Sequence, residues 1–501
     1  MTSLASTSTT DIPPIRPSAL SAKLAMALLL AALADFLLYG RRIGLSLVIL
    51  AVAIACASLL ANRAALDFRR AVTGGAIVAL GLVPAVEELN ALSLLILVAA
   101  LAIALLLATN PETTSLADRV RALRNLVLFG PFRFFPDALQ VFNMSAFTRG
   151  IALWLMPVVL STVFVALFAA ANPVIEQWVS LLNPKIILEY VSVPRVLFWI
   201  LMLALVWPFI HVRWRRRKVA AATETDVAEP PLPPFVSPEF LGPSTILRSL
   251  ILFNLLFAAQ SILDGIYLWG HVALPDNVTY AWYAHRGAYP LIATALLAAA
   301  FVLVAMRPGG PAEKSKVIRP LVYLWVGQNV LLVASSILRL DLYVDIYMLT
   351  YWRIAAFIWM GLVALGLVLI VTRIALNRSN QWLIGANLIA LAIVLYGCSL
   401  VNFDAFIADY NVTHSREASG KGVQIDINYL LTLGPQALPA IDRAIALRPG
   451  AGEGCLVSQR DRLVEQQRQD LAWRSWSFRS WRLQRRLDAQ TEARSGSRLA
   501  G

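Results

Sequence analysis

The stretch ALSLLILVAALAIALLLA, residues 91–108, decides the fold class of this chain. It carries no charged side chain, and a helix needs roughly 20 such residues to cross the hydrocarbon core of a bilayer. LAMALLLAALADFLLY at 24–39 is almost as apolar. Soluble proteins rarely contain several apolar runs of this length, so we predict an all-α, polytopic transmembrane helical bundle.

The composition agrees with a membrane protein. The 501 residues are 58% hydrophobic and only 15% charged, which leaves too little polar surface to cover soluble domains of this total size. The apolar runs predict about eleven spans. They lie near 24–40, 43–61, 71–87, 91–108, 149–171, 194–212, 248–270, 286–306, 318–338, 352–374 and 383–402.

The net charge of +13 is concentrated in the connectors between these runs, as in RWRRRKVA at 213–220. A cytoplasmic N-terminus places about three times as many Lys and Arg residues in cytoplasmic connectors as in the opposite ones, and this excess sets orientation. The Ala, Leu and Arg bias indicates a bacterial inner membrane. Eleven spans put the C-terminus in the periplasm, whereas ten would put it in the cytoplasm.

Composition divides the chain into five parts. We predict a disordered leader at 1–21, a first membrane half of about six spans at 22–218, and a proline-rich cytoplasmic linker at 219–245. A second membrane half of about five spans follows at 246–402, and a helical, periplasmic C-terminal region occupies 403–501. The sequence contains no convincing internal repeat, so it gives no support to an inverted-repeat transporter.

Ionisable residues within apolar runs are candidates for function because burying charge in lipid is costly. Asp35 and Asp264 could line an intramembrane polar path, although both lie near span ends, where reaching a headgroup or a polar partner is the favoured interpretation. His285 and Arg286 stand at the outer entry of the eighth span. Anchoring in the interfacial aromatic belt is favoured there over binding of an anionic group.

The stretch RLDLYVDIYMLTYWR, residues 339–353, places charges and tyrosines between two apolar runs. Its pattern fits either an extended segment or a helix. An open strand edge cannot persist in hydrocarbon, so we predict a short outer connector that continues as helix. Arg339 and Arg353 would bracket a turn and reach the carboxylates of Asp341 and Asp345.

The chain after the last run changes character. Gly434 and Pro435 mark a helix start, and the apolar positions on either side predict a small helical hairpin. The segment 461–487 interleaves Trp and Phe with Arg, which predicts one long helix. Packing on lipid or on the protein's own rim is favoured over binding of nucleic acid.

Enzyme signatures are absent from the sequence, and we assign no catalytic residue. The four histidines have no metal-ligand spacing, and the three cysteines are too few for a disulfide framework. We therefore expect no metal and no cofactor.

Four motifs resemble an uncharacterised bacterial family of polytopic inner-membrane proteins, the 4153/4173 group of domains of unknown function. They are AHRGAYPLIATALL (284–297), LRLDLYVDIYMLTYWRIAAF (338–357), NFDAFIADYN (402–411) and DINYLLTLGPQALPAID (426–442). The resemblance covers about 245–445. Where the family usually has glycine after a tyrosine of the second stretch, this chain has Met348. The resemblance implies no activity, substrate or cofactor.

Our leading hypothesis is a non-enzymatic inner-membrane component whose outer-face polar cluster binds a ligand, a lipid or a membrane or periplasmic protein partner. The alternatives are a secondary transporter or export component that uses Asp35 or Asp264, and a membrane-embedded glycan or lipid transferase that uses outer-face carboxylates. The cluster comprises His285, Arg286, Arg339, Asp341, Tyr343, Asp345, Tyr347, Arg353, Asn402, Asp404, Tyr410 and Asn411.

Overall fold

The computed structural model describes residues 17–63, 67–109, 116–141, 192–212, 242–269, 315–448 and 453–499, with a few single positions between 157 and 165 and at 294, 297 and 301. These residues form helices joined by short turns, and no strand occurs among them. The helices up to residue 400 are α1 Pro17–Leu38, α2 Leu45–Ala61, α3 Phe68–Glu87, α4 Ala91–Thr109, α5 Leu116–Val127, α6 Phe134–Val141, α7 Val193–Ile210, α8 Pro243–Asp264, α9 Ile318–Tyr347, α10 Tyr351–Ala375 and α11 Asn380–Leu400.

Eight of these helices are long and apolar enough to cross a membrane, and α2 is a shorter apolar helix. Together they match nine of the eleven predicted runs, which confirms the all-α, polytopic fold class. The runs near 149–171 and 286–306 lie outside the described residues except for single positions, as does the linker up to 241. α1 begins at Pro17, so the end of the predicted leader is helical.

Contacts divide the chain into two compact units. Unit 1 is Met1–Arg216 with Asp470–Arg482, and unit 2 is Arg217–Gln469 with Leu483–Gly501. In unit 1, α3 and α4 pack closely because glycine faces alanine across the contact. A Cβ atom added to Gly81 would lie 2.4 Å from the Cβ of Ala100. Small residues at such a contact let two membrane helices approach until their backbones nearly touch.

Residues Asp470–Arg482, which we call the docked segment, contact the starts and ends of helices in unit 1. The N–H of Leu45 donates to the carbonyl of Trp476 over 3.0 Å. The buried guanidinium of Arg479 forms ion pairs with Glu87, at 3.4 Å, and with Glu88. These contacts lie at the end of the helices opposite to the start of α1.

The single long helix predicted at 461–487 is wrong. α16 (Glu453–Asp470) ends and α17 (Phe478–Leu499) begins on either side of a seven-residue break. In that break the backbone bonds to the start of α2 instead of to its own helix, including Ser46 N–H to the carbonyl of Arg474 at 3.2 Å. Tertiary contact therefore overrides local helix preference here.

Unit 2 contains α8 to α11, whose shared core includes Leu250, Val322, Trp325 and Met360. α9 has 30 residues, which corresponds to a length of about 45 Å. That exceeds the hydrocarbon thickness of about 30 Å, so α9 extends beyond the bilayer core. The predicted connector at 339–353 is therefore mostly helix, and only residues 348–350 form a turn before α10.

After α11 the chain forms a helical cap, which we define as residues 403–447. It comprises α12 Phe403–Thr413, α13 Arg416–Ser419, α14 Ile427–Thr432, a 3-10 turn Gly434–Ala437 and α15 Leu438–Leu447. Its core joins Ile407 and Ala408 to Leu430 and Ile441. Gly434 has a φ of 72°, which glycine adopts without strain, so the predicted helical hairpin and its Gly-Pro start are confirmed.

Candidate functional site

Arg339 does not lie in an outer connector as predicted. It lies within α9, is 3% exposed, and forms an ion pair with Asp264, the last residue of α8. Gln260, one turn earlier in α8, donates a 2.9 Å hydrogen bond to the same carboxylate. A buried arginine requires an acceptor, so this pair fixes α8 against α9.

Arg353 also has a different partner from the predicted Asp341 and Asp345. Its guanidinium donates to the carbonyls of Tyr347 and Met348, where α9 ends. The same group lies 4.7 Å from the ring centroid of Tyr343 and 5.9 Å from that of Tyr347. Arg353 is therefore a cap for the C-terminus of α9, where carbonyls lack helical partners and a positive charge is favourable.

The turn between α9 and α10 begins at Met348, whose φ of 64° and ψ of 174° form a backbone conformation almost restricted to glycine. The buried side chain of Asn411 accepts from Leu349 N–H at 2.7 Å and donates to Leu349 C=O at 2.9 Å. Asn411 thereby satisfies both backbone groups of one turn residue.

One further hydrogen bond connects the helical cap to this region, and Asn402 holds the start of the cap. The hydroxyl of Tyr429 accepts a 3.2 Å hydrogen bond from the N–H of Tyr351, the first residue of α10. Asn402 caps α12 by accepting from Ala405 N–H at 3.1 Å and donates to Gln436 at 2.9 Å. Burial raises the pKa of Tyr429 despite the hydrogen bond from Tyr351, so its hydroxyl stays protonated.

An acidic patch, which we define as Asp341, Asp345, Tyr410 and His414, lies at the surface; Tyr410 is half-buried and the other three residues are exposed. The two carboxylates lie one turn apart on α9 and are exposed. Tyr410 stacks on His414 with ring centroids 4.0 Å apart. Burial raises the pKa of Tyr410, and the charges of Asp345 and Asp341 raise it further, which places this hydroxyl in the field of both carboxylates.

Asp404, His285 and Arg286 also belong to the predicted cluster. Asp404 is half-buried in the first turn of α12, near Tyr429. His285 and Arg286 lie outside the described residues. The structure thus brings together three of the four sequence motifs, at 338–357, 402–411 and 426–442, around one turn.

Asp35, the other candidate for a polar path, is held in unit 1. Arg195 donates to both of its carboxylate oxygens, with Nε to Oδ1 at 2.8 Å, and Trp199 Nε1 donates over 2.9 Å. The Arg195 guanidinium also lies 5.4 Å from the ring centroid of Tyr39. The interaction joins α1 to the first turn of α7.

Sequence reasoning missed several partners of these residues: Gln260, Arg195, Tyr429, His414 and Gln436. His414 follows Tyr410 at helical spacing and could have been found from that periodicity. Gln260 likewise precedes Asp264 by one helical turn. Arg195, Tyr429 and Gln436 are far from their partners in sequence, so no local pattern indicates them. Within the described ranges, no group of three or more His, Cys, Asp or Glu side chains could hold a metal ion.

A family model described as "Domain of unknown function (DUF4153)" matches residues 74–444. The match begins in α3, so it extends well into the first half, beyond the stretch of about 245–445 that carries the recognisable motifs. No curated protein and no solved structure matches the chain. The chain is a multi-pass membrane protein that belongs to the DUF4153 family.

Proposed function

We propose that this protein is a non-enzymatic component of a bacterial inner membrane that binds a cationic ligand or partner at its acidic patch. One observation carries the proposal. Two of the three arginines of the predicted cluster are used inside the protein, Arg339 on Asp264 and Arg353 on the end of α9, and the third, Arg286, lies outside the described residues. Asp341 and Asp345 stay exposed on α9.

A cationic ligand fits the chemistry of this surface. Two like charges one helical turn apart repel each other, and a bound cation relieves that repulsion. An aromatic face beside them adds cation–π attraction, which the stacked pair Tyr410 and His414 offers. An amine or guanidinium group therefore matches the patch better than an anion does.

The proposed orientation has a cytoplasmic N-terminus and a periplasmic C-terminus. Support comes from unit 1, in which the docked segment contacts Leu45 and Glu88 at the helix ends opposite to the start of α1. With the leader in the cytoplasm, the docked segment lies on the periplasmic side. Fusions of a phosphatase and of a fluorescent protein to the C-terminus test this, because each is active on one side only.

The binding test uses the whole protein in detergent, with spermidine as the cationic probe. Spermidine raises the unfolding temperature of the wild type by preferential binding to the folded state. The variant Asp341→Asn/Asp345→Asn loses this increase. The matched control is Asp461→Asn/Glu465→Gln, which removes two exposed charges from α16 and keeps the increase. Equal responses of both variants to spermidine contradict the proposal.

These substitutions separate binding from stability better than changes at the arginines do. Replacing Arg339 or Arg353 removes a buried ion pair or a helix cap, so loss of function would not distinguish a ligand site from a folding defect. In a deletion strain, Asp341→Asn/Asp345→Asn should fail to restore growth while inserting normally in the membrane.

A secondary transporter is the second candidate, and one feature of unit 2 favours it. Asn254, Gln328 and Asn329 each donate to a backbone carbonyl, and no donor among the described residues reaches their side-chain oxygens. Buried acceptors of this kind usually bind water. They lie on α8 and α9, which also carry Asp264 and Arg339.

Cysteine accessibility tests that candidate. In a chain whose native cysteines are replaced by alanine, Asn329→Cys should react with a small hydrophilic thiol reagent if water enters between α8 and α9. Leu324→Cys, exposed on the surface of α9, is the control and should stay unreactive in lipid. Protection of both positions argues against an aqueous path.

A further inference from the structure

A cavity of about 110 Å³ lies between α2, α3, α4 and α7 in the described part of unit 1. Its walls are almost entirely carbon, including Leu59, Val78, Leu101 and Phe209. Apolar cavities of about 150 Å³ stay dry and accept a benzene-sized group. Apolar walls of this kind favour a hydrocarbon group in the cavity over water.

The cavity is a groove on the surface of the helices, which we call the α2–α3 groove. Leu59 is 41% exposed at its edge, and Gly75 is exposed as well. A Cβ atom on Gly75 would meet nothing within 4 Å, whereas one on the neighbouring Gly74 would lie 3.2 Å from the carbonyl oxygen of Ala104 in α4. Gly74 thus holds α3 on α4, and Gly75 leaves the groove open toward the lipid.

One end of the groove is strongly basic. Arg63 follows α2, and Arg69 and Arg70 occupy the first turn of α3, directly before the groove residue Ala71; all three arginines are exposed. Asp67 accepts from the backbone of Arg69 and Arg70 and lies 3.4 Å from the Arg70 guanidinium, so it offsets only part of this charge.

We propose that the α2–α3 groove binds an acyl chain of an anionic phospholipid whose phosphate lies against Arg63, Arg69 and Arg70. An apolar groove that opens to hydrocarbon must be filled by a lipid chain, because neither water nor vacuum is favourable there. The arginines then select the headgroup, as basic pockets between transmembrane helices select anionic lipids.

Native mass spectrometry of the full-length protein in detergent tests the site, with phosphatidylglycerol and phosphatidylcholine of identical chains as probes. The wild type should retain phosphatidylglycerol roughly tenfold more than phosphatidylcholine. Arg69→Gln/Arg70→Gln should reduce phosphatidylglycerol to the level of phosphatidylcholine. The charge-matched control Arg378→Gln/Arg462→Gln removes two exposed arginines elsewhere and should keep the preference.

Gly75→Phe tests the acyl-chain part of the site by filling the groove, and it should reduce retention of both lipids. Its control is Gly361→Phe in α10, where an added Cβ atom also meets nothing within 4 Å. Unfolding temperatures establish that each variant is folded. Equal retention by Gly75→Phe and Gly361→Phe overturns the proposal, as does a wild type that prefers neither lipid. If Gly75→Phe does not fold, the surface arginine pair decides the outcome alone.

Discussion

Arg339 and Asp264 lie 75 positions apart in the chain and form a buried ion pair where α8 ends. Both residues had been separate candidates, one for an outer cluster and one for a polar path. Their pairing explains why an apolar chain keeps two charges at this level. Each satisfies the other, with Gln260 as an additional donor to Asp264.

Breaking this pair should destabilise unit 2. Asp264→Leu or Arg339→Met alone leaves one buried charge and should cost about 3–5 kcal/mol of unfolding free energy. The double variant should cost much less than the sum of the singles, because no charge remains uncompensated. Thermal unfolding in detergent measures this coupling, and additive losses would show that the two residues do not interact.

The control for the buried pair is an exposed one. Asp409 on α12 pairs with Arg443 on α15, and both side chains are about half exposed. Asp409→Asn should change the unfolding free energy by no more than about 1 kcal/mol, because solvent screens this pair.

Met348 should be a strained residue. With φ at 64°, glycine fits its backbone better than alanine, although alanine is normally the more stable by about 0.5–1 kcal/mol. Met348→Gly should therefore be more stable than Met348→Ala by roughly 1 kcal/mol. Both variants lose the buried side chain beyond Cβ, so their difference in thermal unfolding reports the fit of a Cβ atom to this backbone conformation.

Ala355 is the control position for this glycine–alanine comparison, because it lies within a regular helix. It lies exposed in the second turn of α10. There Ala355→Gly should destabilise the protein by about 1 kcal/mol, as in any helix interior. If glycine is less stable than alanine at position 348, as it should be at position 355, the backbone at Met348 is not strained.

Asn411 should hold the helical cap to the turn between α9 and α10. Asn411→Leu keeps the side-chain size but leaves the buried N–H and C=O of Leu349 without their partner. Each such group costs roughly 1–3 kcal/mol. Limited proteolysis should cleave within residues 403–447 sooner than in the wild type, whereas the exposed substitution Thr413→Val should not change the rate.

Acid should weaken the cap at Glu417. Burial acts to raise the pKa of Glu417, but hydrogen bonds from Arg448 and the backbone outweigh it and leave the pKa below its ordinary value. A carboxyl group with a lower pKa when folded stabilises the protein above its unfolded pKa of about 4.3, and this contribution is lost as the pH falls further.

The unfolding temperature between pH 6 and pH 3 measures that contribution. The wild type should lose more stability than Glu417→Gln over the acidic part of this range, because the variant has no charge to lose. Parallel curves for the two proteins would show that the Glu417–Arg448 pair does not contribute to acid sensitivity.

Helix α3 should tolerate a methyl group at one glycine and not at another. A Cβ atom on Gly81 would lie 2.4 Å from that of Ala100, so Gly81→Ala should cost about 1–3 kcal/mol by forcing the helices apart. Gly75→Ala meets open space and should be neutral or slightly stabilising, because alanine favours helix. Thermal unfolding of the two variants should therefore change in different directions or by clearly different amounts.

Much of the fold follows from local properties of the chain. The apolar runs predicted nine of the described helices, and the Gly434-Pro435 pair correctly marked the start of a short helix in the cap. Length and hydropathy suffice for this because a helix satisfies its own backbone hydrogen bonds in lipid. The motif resemblance likewise identified the family that the model at 74–444 establishes.

Pairing between distant side chains could not be predicted in this way. From sequence, Arg353 had nearby carboxylates within apparent reach, yet it caps the carbonyls of Tyr347 and Met348. The break at 471–477 has helical composition, but its backbone bonds to α2. In both cases the better partner lies in another element, and local patterns do not contain that information.

The sequence by itself determined that this chain is a bundle of membrane helices, because crossing a bilayer depends on the length and polarity of each run. Only the tertiary structure decided which charges are neutralised and which stay exposed. Arg339 is buried on Asp264, whereas Asp341, two residues later, faces outward. The physical reason is that the energy of a charge depends on the partners and solvent that surround it in three dimensions.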